Sequence, residues 1–242
     1  MSTPIKVFDT YPGGKAAEGT VQALINLIPP HDVFVSPFLG NCAVMRHIRA
    51  ADVMHGTDLD RTVVAKWKRA TKGLGYKIER RDGIELVHDC CEWLSDLAPD
   101  QRVFIFLDPP YLVETLSRNN AKPYKHMLTL LEHQNLLHAI KQLPCMVMIC
   151  ALPNVVYENA LAGWHTVQYR NKTRRGMQWE QVWMNYAPPT ELHDYRYIGK
   201  NKRARLSWKR KWGRWVANFK RMDSRHRAAM LQYLTDANAG NS

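Results

Sequence analysis

The sequence predicts an α/β protein: a mostly parallel, Rossmann-like sheet with an antiparallel terminal hairpin, followed by a basic C-terminal helical extension. Three observations predict it. Short apolar runs alternate with helical stretches over the first two thirds of the chain, as crossover connections in a parallel sheet require. Two extended segments then stand close together in sequence, joined by a basic link. Finally, from Thr190 to Ser242 there are thirteen Lys/Arg against four Asp/Glu, so most of the net charge of +12 falls in the last fifth of the chain.

Taken in order, Val33-Phe34-Val35 reads as the first strand and Val53–Gly56, ending before Thr57-Asp58, as the second. Ile84–Val87 reads as the third, ending before His88-Asp89, and Val103–Leu107 as the fourth. Cys145–Cys150 reads as the fifth. Val103–Leu107 in particular is short, apolar and rich in β-formers, as a buried parallel strand should be. Helical stretches are expected near Ala16–Leu27, Arg61–Thr71, Cys91–Leu97 and Met127–Gln142. Trp164–Tyr169 and Glu180–Tyr186 read as the two arms of a hairpin whose basic tip, Arg170–Gly176, includes Arg174 and Arg175. Pro188-Pro189 is expected to end the compact part, giving a domain over 1–189 and an extension over 190–242.

At 242 residues, 45% of them hydrophobic and 23% charged, the chain is long enough for one substantial core. It has no apolar run near the ~18 residues of a membrane span, so a soluble, intracellular (cytoplasmic) protein with no membrane partner is expected. Its five cysteines lie in or beside strand-like segments without zinc spacing, and its ten histidines are scattered, so buried thiols and no metal are expected. A charge of +12 points to a polyanionic partner.

The most informative motif is Asp108-Pro109-Pro110-Tyr111. It follows the fourth strand directly, and open α/β sheets place ligands at the carboxyl ends of their strands. The prolines stiffen the turn, so Asp108 and the Pro109 carbonyl can present acceptors into one crevice, with the Tyr111 ring as a flat face beside them. Two acceptors and an aromatic plate suit a planar group bearing an amine, such as a nucleobase. Asp58 and Asp89 also follow strand-like runs, where an acidic side chain can meet ribose hydroxyls or an adenine amine. Ser36–Ala43 carries one glycine, Gly40, too few for a phosphate-cradling loop, which disfavours NAD and ATP and leaves a nucleoside cofactor without phosphates. Tyr11-Pro12-Gly13-Gly14-Lys15 offers a tight turn with a ring and an ammonium at its edges.

In this order, over about residues 8–186, these motifs resemble the DNA adenine methylase (Dam-like) family of S-adenosylmethionine-dependent N6-adenine methyltransferases: Tyr-x-Gly-Gly-Lys, Pro-Phe-x-Gly, Asp58, Asp89 and Asp-Pro-Pro-Tyr. Glu180–Tyr186 is similar to the family's last catalytic-domain strand. The resemblance implies a Rossmann-like methyltransferase sheet and S-adenosyl-L-methionine as cofactor, surrounded by Tyr11, Lys15, Phe38, Gly40, Asp58, Asp89 and Asp108. It further implies that Asp108 and Pro109, held by Pro110, grip the adenine amino group while Tyr111 stacks on the base. The family usually has Glu where Ser36 stands and a second Gly where Cys42 stands. It also commonly carries a sizeable recognition insert before the tetrad, for which Cys90–Leu107 leaves no room. Short or relaxed sequence specificity on double-stranded DNA is the expectation.

The extension supplies the polyanion contacts in this reading. Trp208, Trp212, Trp215 and Phe219 recur at helical spacing, and Lys209, Arg210, Lys211 and Arg214 lie between them. With Arg174 and Arg175 these basic residues are the expected nucleic-acid contacts. Lys, Arg and Trp also suit single strands or structured RNA, so an RNA N6-adenine methyltransferase is the alternative. A catalytically silent DNA-binding protein with the same fold is a second.

Overall fold

The structure is a computed structural model. It describes residues 4–8, 15, 19–94, 100–116, 125–173 and 176–239. The chain forms two compact units, 1–195 and 196–242.

The first unit is built on a seven-stranded sheet of order β3-β2-β1-β4-β5-β7-β6. Strands β1 (Val33–Ser36), β2 (Val53–Asp58), β3 (Lys77–Arg80), β4 (Val103–Leu107) and β5 (Met146–Ala151) run parallel, while β6 (His165–Thr173) and β7 (Gly176–Met184) form an antiparallel hairpin. Strand β7 pairs antiparallel with β5. Helix α1 (Thr20–Ile25) precedes β1, and α2 (Ala43–His47), α3 (Arg61–Ala70), α4 (Gly83–Trp93), α5 (Leu130–Lys141) and α6 (Val155–Ala160) supply the crossovers. This is the Rossmann-like sheet with an antiparallel terminal hairpin that the sequence predicts.

All five residues of β4 are buried, which is why this strand reads as an unbroken apolar run. Alternate side chains serve opposite faces. Val103, Ile105 and Leu107 join Val147, Ile149, Leu86, Val87, Leu136, Ile140 and Tyr157 in one cluster beneath α4, α5 and α6. Phe104 and Phe106 point the other way, onto Phe34. Each such side chain contributes roughly 1.5–3 kcal/mol of burial.

The third strand is a correction. Ile84–Val87 is not a strand but the first turns of α4, and β3 is Lys77–Arg80. Two local causes combine. Asp82 caps the helix, its Oδ1 accepting from the Ile84 amide at 2.7 Å and the Glu85 amide at 3.3 Å. Leu86, Val87 and Cys90 then form one buried helical face. The true strand lies at the sheet edge and buries only Ile78, so its pattern reads as polar. The helix expected over Cys91–Leu97 is correspondingly the end of α4, and 95–99 lie outside the described residues.

The first unit also runs past Pro188-Pro189. His193 and Asp194 are buried against the amino-terminal edge of the sheet, where the Asp194 carboxylate accepts from the Arg49 amide at 2.8 Å. The His193 ring stacks on His31 with centroids 3.7 Å apart.

The second unit contains α7 (Lys202–Arg221) and α8 (Ser224–Ala239). Neither helix buries a residue. Trp208, Trp212 and Trp215 remain substantially exposed, each ring in contact with the next in the row. Among the described residues no helix is long and apolar enough to cross a membrane.

Candidate active site

The strand order reverses between β1 and β4, and the loops leaving their carboxyl ends flank the crevice at this switch point. These loops are Pro37–Cys42 and the Asp108 tetrad. The first is stitched to β2. Thr57 Oγ1 donates to the Pro37 carbonyl at 2.9 Å and the Leu39 amide to the Thr57 carbonyl at 2.8 Å. The Gly40 amide donates to Asp58 Oδ2 at 2.8 Å, and the Gly40 carbonyl accepts from Trp67 Nε1 at 2.7 Å. Gly40 has φ 42, the left-handed region that favours glycine at this bend. Asp58 Oδ1 also accepts from the Asp60 amide at 2.7 Å. Burial raises the Asp58 pKa despite these two amide donors.

A cleft open to solvent runs from this loop to the tetrad. Phe38, Gly40, Asp58, Asp82, Lys15 and Asp108 line it, joined by Leu59, Asp60, Lys125, His126 and Leu128. The cleft combines a row of carboxylates with an apolar wall.

At its inner end Lys15 is almost completely buried, and its ammonium pairs with Asp108 Oδ1. The same Nζ donates to the Tyr111 hydroxyl at 2.9 Å and lies 3.5 Å from Glu180 Oε2. Burial alone would depress the ammonium, but Asp108 and then Glu180 reverse this and hold its pKa well above the usual lysine value. Burial pushes the Asp108 carboxyl up, against the pull of Lys15. Cys42, which caps α2 at the edge of the cleft, is pushed up to about 11 by burial and remains a thiol.

Of the residues expected from sequence, Lys15, Phe38, Gly40, Asp58, Asp108 and Pro110 thus come together around one cleft. Asp89 does not. It sits on α4, half-exposed and paired with Arg81, because the third strand ends before Asp82 rather than before His88. The acidic residue following β3 is Asp82, and it lines the cleft beside Gly83. Its signal was present in sequence: Asp82 followed by Glu85 three residues on is the spacing of a helix start. Tyr111 also differs from the expected open plate. Its ring is 6% exposed, drawn inward by the bond to Lys15, whose ammonium lies 5.2 Å from the ring centroid. Pro109 is buried. Tyr11, Arg174 and Arg175 lie outside the described residues. Sequence reasoning also missed Glu180 as a neighbour of Lys15, since the β6–β7 hairpin brings it there.

On the outer part of that hairpin Trp179 and Met177 are exposed, and the Arg170 guanidinium lies over the Trp179 ring at 4.9 Å. In the second unit Lys202, Arg203, Arg210 and Arg214 share one face of α7 with Leu206 and Ser207. Lys209 and Lys211 flank the aromatic row, and Lys211 lies 5.1 Å over the Trp208 ring.

No protein-family model matches this sequence, and no curated protein does either. Among solved structures, the chain is similar to an rRNA methylase from Streptococcus thermophilus, at 10% identity over 68% of this chain and 93% of that one, TM-score 0.42. It is similar to the magnesium protoporphyrin IX methyltransferase of Synechocystis PCC 6803 with bound SAM, at 12% identity over 69% and 78%, TM-score 0.41. It is also similar to the human Mettl16 catalytic domain in complex with an RNA hairpin of the MAT2A 3′UTR, at 13% identity over 71% and 69%, TM-score 0.39. At these identities the likeness is one of fold.

Proposed function

We propose that this protein transfers a methyl group from S-adenosyl-L-methionine to the N6 amino group of adenine in DNA. The observation that carries the reading is the continuity of the cleft. Asp58, Asp82 and Phe38 lie along it, and Lys15, Asp108 and Pro110 at its inner end. The residues present fit the cofactor. Phe38, Leu59 and Leu128 offer apolar surface to a nucleoside, Asp58 and Asp82 offer acceptors to its hydroxyls and amine, and the carboxylates complement a sulfonium.

When bound, the cofactor supplies an electrophilic methyl on sulfur. The chain's own residues prepare the acceptor. Asp108 and the Pro109 carbonyl take the two amino hydrogens of adenine, which favours a pyramidal nitrogen with its lone pair aimed at the methyl. With the cofactor held by Asp58, Asp82 and Phe38, that lone pair would take up the methyl, and Asp108 would accept the proton that the nitrogen releases. This is catalysis by positioning and electrostatics. Reaching the cleft requires the base to leave its stack, at roughly a few kcal/mol.

Polymer contact is assigned to Lys209, Arg210, Lys211 and Arg214, to Arg174 and Arg175 as expected from sequence, and to the exposed Arg170–Trp179 pair. The exposed tryptophan row of α7 favours one second reading, RNA or single-stranded substrate, because unpaired bases stack on such rings. Radiolabelled methyl transfer with competing double-stranded DNA, single-stranded DNA and RNA separates these. Label in N6-methyladenine of DNA is the expected outcome; label confined to RNA, or no transfer to any polymer, would sink the proposal.

A further inference from the structure

Glu180 lies on β7 opposite Tyr169 of β6, on the face of the hairpin turned towards Lys15. Its carboxylate is 2% exposed. Oε2 accepts from the Tyr169 hydroxyl at 2.8 Å and Oε1 from Asn171 Nδ2 at 2.8 Å. A carboxylate this deep is costly unless charge and donors compensate it, and the hairpin supplies the donors. The compensating charge is Lys15, which is already paired with Asp108. One ammonium therefore serves two carboxylates, Glu180 buried behind it and Asp108 at the cleft.

We infer that Glu180 is a positioning residue for methyl transfer: it anchors Lys15 from the side away from the cleft and, by sharing that ammonium, keeps Asp108 a ready acceptor for the amino proton. The inference rests on the function proposed above. It explains why the strand buries a charged residue at this position, on the same face as the apolar Val182 and Met184. The division of labour follows from the partners. Burial would raise the Glu180 carboxyl, but Lys15, Asn171 and Tyr169 together hold it below its usual value, so it stays ionised. Asp108 is raised by burial first, and the Glu180 charge adds to that. The remaining titratable groups facing the trio are Tyr111, Tyr157, Tyr169, Cys42 and Cys150. Burial pushes the last four upward, so they stay neutral.

The test is a carbon-13 NMR titration of the Asp108 carboxyl in the unliganded full-length protein, wild type against Glu180→Gln, with kcat and KM measured over pH on DNA. Glutamine keeps the shape and removes the charge. Asp108 should then titrate lower, because the neighbouring negative charge is gone. The acidic limb of kcat should follow it down, and kcat should fall roughly tenfold to a hundredfold with KM for cofactor and DNA unchanged. An Asp108 titration that stays in place or moves up overturns the inference, whatever the activity. Should Glu180→Gln fail to fold, Tyr169→Phe keeps the charge and removes one donor. Glu180 then draws harder on Lys15, and Asp108 should titrate higher; no upward movement overturns the inference equally. A wild-type protein that methylates nothing defeats the functional proposal alone, because the titration is read without substrate.

Discussion

His31 shows how a single buried ring couples this fold to pH. Its Nδ1 donates to the Pro29 carbonyl at 2.9 Å, and its backbone amide donates to His193 Nδ1 at 3.3 Å. His193 Nε2 in turn bonds the Arg49 carbonyl at 2.8 Å. Both rings are thereby held neutral and stacked. Burial, followed by the neighbouring His193, pushes the His31 pKa down to about 3. Because the folded value lies below the unfolded value of about 6.5, the unfolded chain binds the extra proton between these limits. Stability is therefore intact above pH 6.5 and drains as pH falls towards 3, by up to about 1.4 kcal/mol per pH unit for this one proton. Urea melts from pH 7 to pH 4 should show a shallower loss in His31→Asn than in the wild type; parallel slopes would remove His31 from the account. At this scale much of the site was legible in the chain. Asp58 and Asp108 could be chosen because each stands at a turn after a strand-like run, and Lys15 only through the resemblance that its Tyr-x-Gly-Gly-Lys motif carries. Asp82 showed a helix start through its spacing to Glu85, but its place in the cleft depended on knowing where β3 ends; Glu180 depended on a hairpin contact 165 residues from Lys15 along the sequence.

Elements read well from sequence where burial is two-sided and poorly where it is one-sided. Strand β4 declared itself through five buried residues in a row. Edge strand β3, with one buried residue of four, did not, and the apolar start of α4 took its place in the reading. The turn between them is sterically demanding. A Cβ on Gly83 would stand 2.5 Å from the Pro37 carbonyl oxygen and 2.8 Å from the Phe38 ring, closer than real contacts allow. Helix α4 and the loop after β1 can approach this closely only because the position is glycine. Gly83→Ala should force Phe38 and Pro37 outward and weaken S-adenosyl-L-methionine binding about tenfold or more, on the scale of 1–3 kcal/mol for overpacking. Calorimetric titration of the cofactor checks this, and unchanged affinity in a folded variant would place the cofactor elsewhere.

Across the whole molecule, charge is divided along the chain more sharply than the total suggests. Residues 1–195 hold twenty-one Lys/Arg against twenty Asp/Glu, whereas 196–242 hold thirteen against two. The unit bearing the cleft is close to neutral, and the unit bearing α7 carries nearly all the surplus. Affinity for a polyanion should therefore be a property of the second unit. Arg210→Ala combined with Arg214→Ala should flatten the log–log dependence of DNA affinity on salt by roughly two, about one for each phosphate that is no longer neutralised. Fluorescence anisotropy from low to moderate salt measures that slope, and an unaltered slope would move the DNA-binding surface off this face of α7.

A grip made of guanidinium and ammonium groups on a backbone carries no sequence information and need not let go between turnovers. If the near-neutral cleft unit holds its product only through a flipped base, each reaction can end with the polymer still held by α7. Methyl marks would then cluster along individual molecules at low ionic strength, and scatter singly among many once salt loosens the second unit. The chain would behave as a processive enzyme by charge alone.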